Sequence, residues 1–309
     1  MPDFHHISVL PAATRDALSL RAGDICADFT LGGGGHAAEM LEASAPNGAL
    51  FGFDRDVAAI DAATRRLSDF GDRATLACRT FSTALDEIED GSLNAWLADI
   101  GVSSPQIDTP ERGFSFGQNG PLDMRMGEGP TAAEFIDNSS DEELAHALWA
   151  YGDIRASRRL SRAIHAARAA GQLETTRELA ALSESVLGRH RKHNPATLVF
   201  QAIRIAVNDE LGQLEDLLTR GPSKLAVGGV AAVITFHSIE DRMVKRAFRA
   251  LTKSEPPLRG IPVTLKEPEY EVVCNGSPAT PEELEANPRA RSARLRAIRR
   301  TAPLENRDG

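Results

Sequence analysis

The sequence predicts an α/β fold, a mostly parallel sheet with helices on both faces, into which an all-helical block is inserted. Three observations lead to this prediction. In the first hundred residues, short apolar runs alternate with helical patterns. Between about residues 139 and 221, no segment has the pattern of a strand. After residue 221, a strongly apolar run, GGVAAVITF, returns.

Four apolar segments in the first hundred residues are predicted strands: DICADFT, ALFGFDRD, ATLACRTF and LNAWLADIG. The glycine cluster LGGGGH follows the first strand and opens a helix at AAEMLEAS. A second helix is predicted from Val57 to Leu67. Strands that alternate with helices at this spacing pair in parallel, which predicts a doubly wound sheet.

Three capping signals predict the helices of the middle block. Ser140 with Glu143 and Thr175 with Glu178 have the spacing of capping boxes, and Pro195 is well placed at a helix start. Apolar residues follow each start at helical spacing. They are Leu144, Leu148, Tyr151, Leu160, Ile164 and Ala167, then Leu179, Leu182 and Val186, then Ile203, Val207, Leu211, Leu214 and Leu218.

The remaining segments complete the sheet. GGVAAVITF is a buried strand, SIEDRMVKRAFRAL a helix, and YEVVCN and RSARLRAIRR are two closing strands. The predicted domains are therefore residues 1–107 and 221–309 for the α/β domain and residues 108–220 for the inserted helical domain.

Composition is typical of a soluble globular protein, with 42% hydrophobic and 26% charged residues among 309. No run of about 18 apolar residues and no signal-peptide pattern is present, so we expect a cytoplasmic protein without a membrane partner. Cys26, Cys78 and Cys274 are far apart, which predicts reduced, buried thiols. The histidines at positions 5, 6, 190 and 193 lack ligand spacing, so we expect no metal.

The net charge of −9 argues against a general polyanion binder, but three segments are locally basic. They are RASRRLSRAIHAAR, DRMVKRAFRALTK and NPRARSARLRAIRR. Such segments either bind nucleic acid or form an ordinary solvated surface.

The stretch DFTLGGGGH is the first candidate site, because glycines between a strand and a helix let a ligand approach backbone N–H groups. Asp54 ends the second strand, where a carboxylate can bind both hydroxyls of a ribose. The loop is also compatible with a dinucleotide. Asp28, just before the loop, is unfavourable beside a pyrophosphate but suits the positively charged sulfonium of S-adenosylmethionine.

The second candidate site follows the fourth strand, where Asp99 and the turn Ser103 to Gln106 lie at the carboxyl edge of the sheet. With it, five segments resemble the signature blocks of the MraW family, the small-subunit ribosomal RNA methyltransferases H. They are DFTLGGGGH, DIGVSSPQIDTPERGFSFGQNGPLDMRM, NPATLVFQAIRIAVNDEL, FHSIEDRMVKRAF and NPRARSARLRAIRR.

This resemblance implies a class I, Rossmann-like methyltransferase with S-adenosylmethionine as donor. It implies N4 methylation of a cytidine in 16S rRNA near the decoding centre, in the small subunit or a late assembly intermediate, and suggests a homodimer. By position, the implied donor-binding residues are Gly34, Gly35, His36, Asp54, Phe81, Asp99 and Gln106.

A hydrogen-bond acceptor for the N4 hydrogens would help the cytosine nitrogen to pyramidalise for methyl transfer, and our candidates are Asp99 and the carbonyls of Ser104 and Pro105. The segment ERGFSFGQNGPLDMRM, residues 111–126, is the predicted substrate loop, because a target base leaves its stack and needs stacking and phosphate partners. The candidate substrate residues are Arg112, Phe114, Phe116, Asp123, Arg125 and His237. The alternative is that these phenylalanines are core and the arginines form local ion pairs.

Three other functions stay open at this point. They are a methyltransferase of the same fold acting on another nucleic-acid base, an NAD-dependent oxidoreductase, and a non-catalytic RNA-binding protein with an inactive donor pocket. Asp28 and the lack of a third loop glycine argue against the oxidoreductase, and the intact loop with Asp54 and Asp99 argues against the inactive pocket.

Overall fold

The computed structural model describes residues 8–188, 194–254 and 267–303. The chain forms two compact units, one of Met1–Gly101 with Gly212–Gly309 and one of Val102–Leu211. We call them the sheet unit and the helical unit. The helical unit runs from residue 102 to residue 211, and the sequence analysis placed the inserted helical domain at residues 108–220.

Seven strands of the described residues form one sheet in the sheet unit, in the order β3-β2-β1-β4-β5-β7-β6. The strands β1 to β5 pair in parallel, and β7 is antiparallel to both β5 and β6. The strands are β1 (Ile25–Asp28), β2 (Ala49–Asp54), β3 (Ala74–Cys78), β4 (Leu93–Asp99), β5 (Leu225–Thr235), β6 (Tyr270–Pro278) and β7 (Arg294–Arg300). This topology confirms the predicted Rossmann-like α/β fold. The strand order reverses between β1 and β4, where such folds bind their ligands.

The helices are numbered along the chain. They are α1 (Pro11–Leu18), α2 (Gly35–Ala43), α3 (Val57–Arg66), α4 (Phe81–Asp86), α5 (Ser104–Asp108), α6 (Ala132–Asn138), α7 (Asp141–Gly152), α8 (Ser157–Ala169), α9 (Thr176–Leu187), α10 (Ala196–Asn208), α11 (Glu210–Arg220), α12 (Ser238–Leu251) and α13 (Pro281–Ala286). Each helix of the described residues is too short or too polar to cross a membrane.

Both faces of the sheet are buried under helices. On one face, Leu97 and Ile234 pack with Met40 and Leu41 of α2. On the other, Trp96 lies in a cluster that includes Leu217 of α11 and Phe248 of α12. The Trp96 indole N–H donates to the carbonyl of Gly221 at 2.9 Å. Burial on both faces explains why the strands are apolar runs rather than alternating patterns.

The helical unit has a separate core formed by α6 to α10. Two helices predicted as continuous are interrupted. The first breaks at Asp153, whose φ of 51° ends α7 in a left-handed cap, and the chain restarts as α8. The third breaks at Asp209, with φ of 47°, and continues as α11. An uninterrupted apolar period does not reveal such a break, because the next helix keeps the same apolar spacing in a new direction.

Other expectations need correction. The short helices α1, α4, α5, α6 and α13 were not predicted, although the capping box of Thr131 with Glu134 marks the start of α6. Of the three cysteines, Cys26 is buried, Cys274 is partly buried and Cys78 is exposed. The histidines at positions 5, 6, 190 and 193 lie outside the described residues.

Candidate active site

Three aspartates end three adjacent parallel strands of the sheet unit. Asp28 ends β1, Asp54 ends β2 and Asp99 ends β4. Their order in the sheet is β2, β1, β4, so Asp28 lies on the strand between the other two. Since parallel strands end at the same edge of a sheet, the fold gathers three carboxyl groups at its ligand-binding edge.

The glycine loop adopts backbone conformations that favour glycine. Gly32 and Gly34 have φ angles of 49° and 74°. Gly35 is the first residue of α2, and a Cβ there would lie 2.2 Å from Oγ of Ser8. A side chain at these positions would therefore displace the loop, and the glycines keep the N-terminus of α2 open to a ligand.

The Asp54 carboxylate holds this loop. Its Oδ2 accepts the N–H of Gly32 and its Oδ1 accepts the N–H of Asp56, both at 2.9 Å. Burial raises the Asp54 pKa to about 6, against these two hydrogen bonds, which lower it. Each carboxylate oxygen has a further lone pair that can accept from a ribose hydroxyl.

Thr30 connects the other two aspartates. Its N–H donates to Oδ1 of Asp28 at 3.0 Å, and its hydroxyl oxygen accepts the N–H of Asp99 at 2.6 Å. Asp28 is 1% exposed, and burial raises its pKa to about 7. Burial, together with the charges of Asp28 and Glu240, raises the pKa of Asp99 well above its ordinary value.

Asp99 keeps one oxygen without a partner. Among the described residues, its buried Oδ1 accepts no hydrogen bond. Its Oδ2 lies 3.9 Å from Nε2 of His36, which extends from the first turn of α2. A buried carboxylate oxygen without a donor is costly, so this atom marks a position that a ligand donor or cation would satisfy.

The turn after β5 adds a buried histidine and glutamate pair. His237 caps α12, and Glu240 closes the capping box by accepting the N–H groups of Phe236 and His237. Nδ1 of His237 accepts the N–H of Glu240 at 3.4 Å, and its Nε2 lies 2.8 Å from Oε1 of Glu240, although neither of these last two atoms has a hydrogen bond among the described residues. This segment therefore forms the helix cap that the sequence predicted, and both ring nitrogens of His237 lie next to Glu240.

Phe81 begins α4 directly after β3 and is partly buried. Its ring contacts Phe29 edge to face, with the centroids 6.3 Å apart. Phe29 is fully buried between Phe53 and Trp96. The predicted adenine-packing residue therefore stands on a rigid aromatic cluster and retains an accessible part.

These groups fit S-adenosylmethionine. The donor carries a positive sulfonium and an α-ammonium group, and the edge offers the carboxyl groups of Asp28 and Asp99, one of them with an unpaired buried oxygen. The open N-terminus of α2 suits its carboxylate, and Asp54 suits its ribose. A nicotinamide dinucleotide would place its pyrophosphate beside Asp28, which is unfavourable.

The turn that follows Asp99 belongs to the helical unit. Ser103 caps α5, and Gln106 closes the capping box, with its Oε1 accepting the Ser103 N–H at 2.9 Å. The Pro105 carbonyl accepts the N–H of Thr109 at 3.0 Å. Ser104 is the first residue of α5. The carbonyl of Pro105 and the Gln106 amide oxygen thus have local partners, and their predicted roles stay predictions.

The candidate substrate residues 112–125 also have internal contacts. Arg125 forms a two-pronged pair with Asp123, at 2.9 and 2.7 Å. Arg112 donates to the Arg125 carbonyl at 2.8 Å and lies 5.8 Å from the Phe114 ring. Phe116 packs edge to face on Phe200 of the helical core, at 5.1 Å. The structural alternative therefore describes Asp123, Arg125 and both phenylalanines, since Phe114 and Phe116 pack against the core of the helical unit. Arg112 contacts a backbone carbonyl and the Phe114 ring.

Sequence reasoning missed two residues of the site. Thr30 joins Asp28 to Asp99, and its position two residues after Asp28 was the available signal. Glu240 was predicted only as a helix cap, whereas its charge also acts on Asp99. A contact between the turn after β5 and the end of β4 follows from strand pairing, which the sequence does not display. Among the described residues, no cluster of three or more potential metal ligands was found.

Comparison with known proteins also indicates a methyltransferase. The sequence model of the MraW methylase family matches residues 3–301. A ribosomal RNA small subunit methyltransferase H of Geotalea uraniireducens is 45% identical, with 96% of this chain and 99% of that protein covered. The protein of that name from Sorangium cellulosum is 46% identical, with 97% and 92% covered.

Among solved structures, the crystal structure of a SAM-dependent O-methyltransferase from Thermotoga maritima has a TM-score of 0.41 at 10% identity. That alignment covers 98% of this chain and 69% of the other. The family match extends over nearly the whole chain, and the donor-site geometry fits the cofactor that the resemblance implied. The chain therefore belongs to the MraW methylase family, and S-adenosylmethionine is its methyl donor.

Proposed function

We propose that the chain methylates the exocyclic N4 of a cytidine in small-subunit (16S) ribosomal RNA, near the decoding centre. The names of the relatives support the choice of RNA, since they are small-subunit rRNA methyltransferases. The observation that carries the chemistry is the buried, unpaired Oδ1 of Asp99 at the ligand-binding edge. The substrate form is the small subunit or a late assembly intermediate.

An amino group on cytosine is a poor nucleophile, because its lone pair is delocalised into the ring. Bound S-adenosylmethionine supplies an electrophilic methyl group on a positively charged sulfur. The chain has to hold the N4 atom in line with that methyl group and exclude water. An acceptor for an N4 hydrogen concentrates the lone pair on nitrogen, and we assign this acceptor role to Asp99.

Asp99 is also suited to accept the proton that N4 loses after it receives the methyl group. Burial and the neighbouring charges of Asp28 and Glu240 raise the pKa of Asp99. A raised pKa makes the Asp99 carboxylate a stronger proton acceptor than an exposed aspartate. The proton passes from N4 to Asp99 and then to solvent, which leaves N4-methylcytidine and S-adenosylhomocysteine as products.

The irregular segment 111–126 supplies the substrate loop in this proposal. Its phenylalanines and arginines are ordered by contacts within the helical unit, such as Phe116 with Phe200 and Arg125 with Asp123. Arg125 remains about 40% exposed, so one side of its guanidinium can still meet a phosphate. Arg112 and Phe114, which lie against each other, are the stacking and phosphate contacts that we propose for the flipped base.

The test is methyl transfer from labelled S-adenosylmethionine to small ribosomal subunits that lack the modification, followed by digestion and identification of the nucleosides. We expect label in N4-methylcytidine. Label in a different nucleoside would show that the chain methylates another base and not the N4 of cytidine. Binding of the donor without any label in the rRNA would contradict the proposed substrate.

The role of Asp99 is tested in the same assay. Asp99→Asn keeps the size of the side chain but cannot take a proton. We expect kcat to fall by about 100-fold or more, in the range typical of a lost general base, while the donor still binds. Turnover within threefold of wild type would exclude this role.

A further inference from the structure

Helix α12 carries a stripe of cations along one exposed face. Arg242, Lys245, Arg246 and Arg249 are exposed, and Lys253 follows just after the helix. Their spacing of three or four residues places them on one side of the helix. From Arg242 to Lys253 this side is about 16 Å long at a rise of about 1.5 Å per residue. We call these five residues the α12 stripe.

The opposite side of α12 is fully committed to the core. Val244 and Phe248 are buried in the cluster that covers one face of the sheet, and Met243, Ala247 and Leu251 pack against it. An amphipathic helix that binds a membrane surface needs its apolar side for the lipid. In α12 that side is occupied, so only the charges of the stripe are available for a partner.

The charged groups of the α12 stripe are unpaired in the part of the chain that the structure describes. Across residues 8–188, 194–254 and 267–303, no ion pair or hydrogen bond involves the charged heads of the stripe. The neighbouring acids are already engaged. Asp241 pairs with Arg296 at 2.8 Å, and Glu240 lies in the cap with His237. Five like charges along one face repel one another, which an anionic partner would relieve.

The other two basic segments of the sequence are used internally to a larger extent. In the last strand, Arg296 pairs with Asp241, Arg299 pairs with Glu271, and Arg300 donates to the Leu225 carbonyl. These side chains hold the sheet edge together. The arginines of β7 therefore have structural partners, whereas the basic residues of the α12 stripe have none among the described residues.

In α8, the basic segment is also partly consumed. Arg168 pairs with Asp137 and Glu174, Arg159 donates to the Val186 carbonyl, and Arg162 donates to the Arg158 carbonyl at 3.2 Å. The helical unit moreover has an open cavity of about 600 Å³ whose charged lining is acidic, with Glu134, Glu142, Glu143 and Asp209. A phosphate would avoid that cavity.

The α12 stripe begins beside the candidate centre. The helix starts after His237, and the charge of Glu240 in its first turn acts on Asp99. The cations then run away from that end along the helix. A nucleic-acid strand whose base enters the site at Asp99 would leave its neighbouring phosphates within reach of such a stripe.

We propose that the α12 stripe binds the RNA phosphate backbone that flanks the target nucleotide. This inference rests on the proposed function for the identity of the RNA. Backbone contacts of this kind position the substrate without reading sequence and make binding strongly dependent on salt. The stripe is long enough to meet several phosphates of one strand.

The experiment compares the full chain with the triple variant Lys245→Gln, Arg246→Gln, Arg249→Gln. A matched control, Arg15→Gln, Arg21→Gln, Arg65→Gln, removes the same charge from exposed positions of the sheet unit away from α12. The affinity for a 16S rRNA transcript is measured from 50 to 300 mM KCl. The thermal shift with S-adenosylhomocysteine reports whether the fold and donor site survive in each variant.

For the triple variant we expect weaker RNA binding, by about 10- to 50-fold near 150 mM salt, and a salt slope lower by about 2. The thermal shift and the kcat at saturating RNA stay at wild-type values, whereas KM for RNA rises. The control variant keeps the wild-type salt slope. Equal effects of the two variants, or no change in the triple variant, would overturn the inference.

Two further outcomes separate this inference from the proposed function. If the wild-type chain methylates rRNA and the triple variant does so with the same KM, the stripe inference fails and the function stands. If the stripe controls RNA binding but no methyl group is transferred, the function fails and the stripe stands. Binding of the wild type to anionic lipid vesicles, lost in the triple variant, would assign the stripe to a membrane surface and overturn the inference.

Discussion

Asp28 at the end of β1 lies beside Asp99 at the end of β4, and the charge of Asp28 adds to burial in raising the pKa of Asp99. Two carboxyl groups that resist ionisation at one edge of a sheet are unfavourable in the protein alone. Their ionised forms become favourable when a cation binds at this edge, because the positive charge stabilises both carboxylates. The same pair thus links donor binding to protonation.

We expect donor affinity to increase with pH. The pKa of Asp28 is raised to about 7, so in slightly acidic solution this group holds a proton that the cationic donor displaces. The pKa of Asp54 is raised to about 6, and Asp54 accepts from the ribose hydroxyls best when it is ionised. Affinity for S-adenosylmethionine should rise between about pH 5 and 8, by at most about tenfold per pH unit for each proton released. Calorimetric titration in buffers of different ionisation enthalpy measures both the affinity and the number of protons released on binding.

S-adenosylhomocysteine is the matched control ligand, because it lacks the sulfonium charge. Its affinity should depend less steeply on pH than that of the donor. Parallel pH profiles for the two ligands would show that the carboxyl groups do not respond to the sulfonium.

Asp28→Asn should stabilise the ligand-free protein at high pH. The Asp28 pKa is raised in the folded state, so this group stabilises the fold at low pH, and that stability is lost as the pH rises from about 4 to about 7. Asparagine has no such loss, so at pH 8 the variant should exceed wild type by on the order of 2 kcal/mol in free energy of unfolding. Urea unfolding at pH 4.5 and pH 8 measures the difference, which should be much smaller at pH 4.5.

The same substitution should weaken binding of S-adenosylmethionine more than binding of S-adenosylhomocysteine. The reason is that asparagine removes a negative charge from the edge that receives the sulfonium. A gain in stability at pH 8 together with unchanged preference between the two ligands would place Asp28 outside the donor site.

Gly120→Ala should disrupt the irregular loop of the helical unit. A Cβ at Gly120 would lie 1.8 Å from the Pro110 carbonyl oxygen, so the backbone has to move. We expect a loss of about 2 to 3 kcal/mol in the free energy of unfolding. Gly117→Ala is the control in the same loop, since its Cβ would meet only the Ser115 hydroxyl, at 3.4 Å. Similar stability of the two variants in chemical denaturation would mean that the loop adapts.

Asn208→Ala should loosen the same loop from the other side. The buried Asn208 side chain donates to the Met124 carbonyl at 2.7 Å and accepts the Met126 N–H at 2.8 Å. Met124 has a φ of 59°, an unusual conformation for a buried methionine, and these bonds hold the chain there. Loss of the amide should cost about 1 to 3 kcal/mol and increase hydrogen exchange at Met126. Unchanged exchange at Met126 would show that other contacts set the loop conformation.

The alternation of strands and helices, the glycine loop and the aspartates at the strand ends were predictable from the sequence. Each depends on local chemistry. Apolar runs mark strands buried on both faces, capping residues mark helix starts, and glycines mark positive φ angles such as that of Gly34. The family resemblance adds the donor and the reaction class, because long motifs in a constant order identify a family better than composition does.

The tertiary structure alone decided which of the predicted charged residues face inward. Nothing in the local sequence distinguishes Arg296, which pairs with Asp241, from Arg246, which has no such partner among the described residues. Likewise, Asp209 ends α10 although the apolar period continues into α11, because a left-handed residue changes direction without changing the spacing. Pairing and direction depend on residues far apart in the chain, and only the folded structure brings them together.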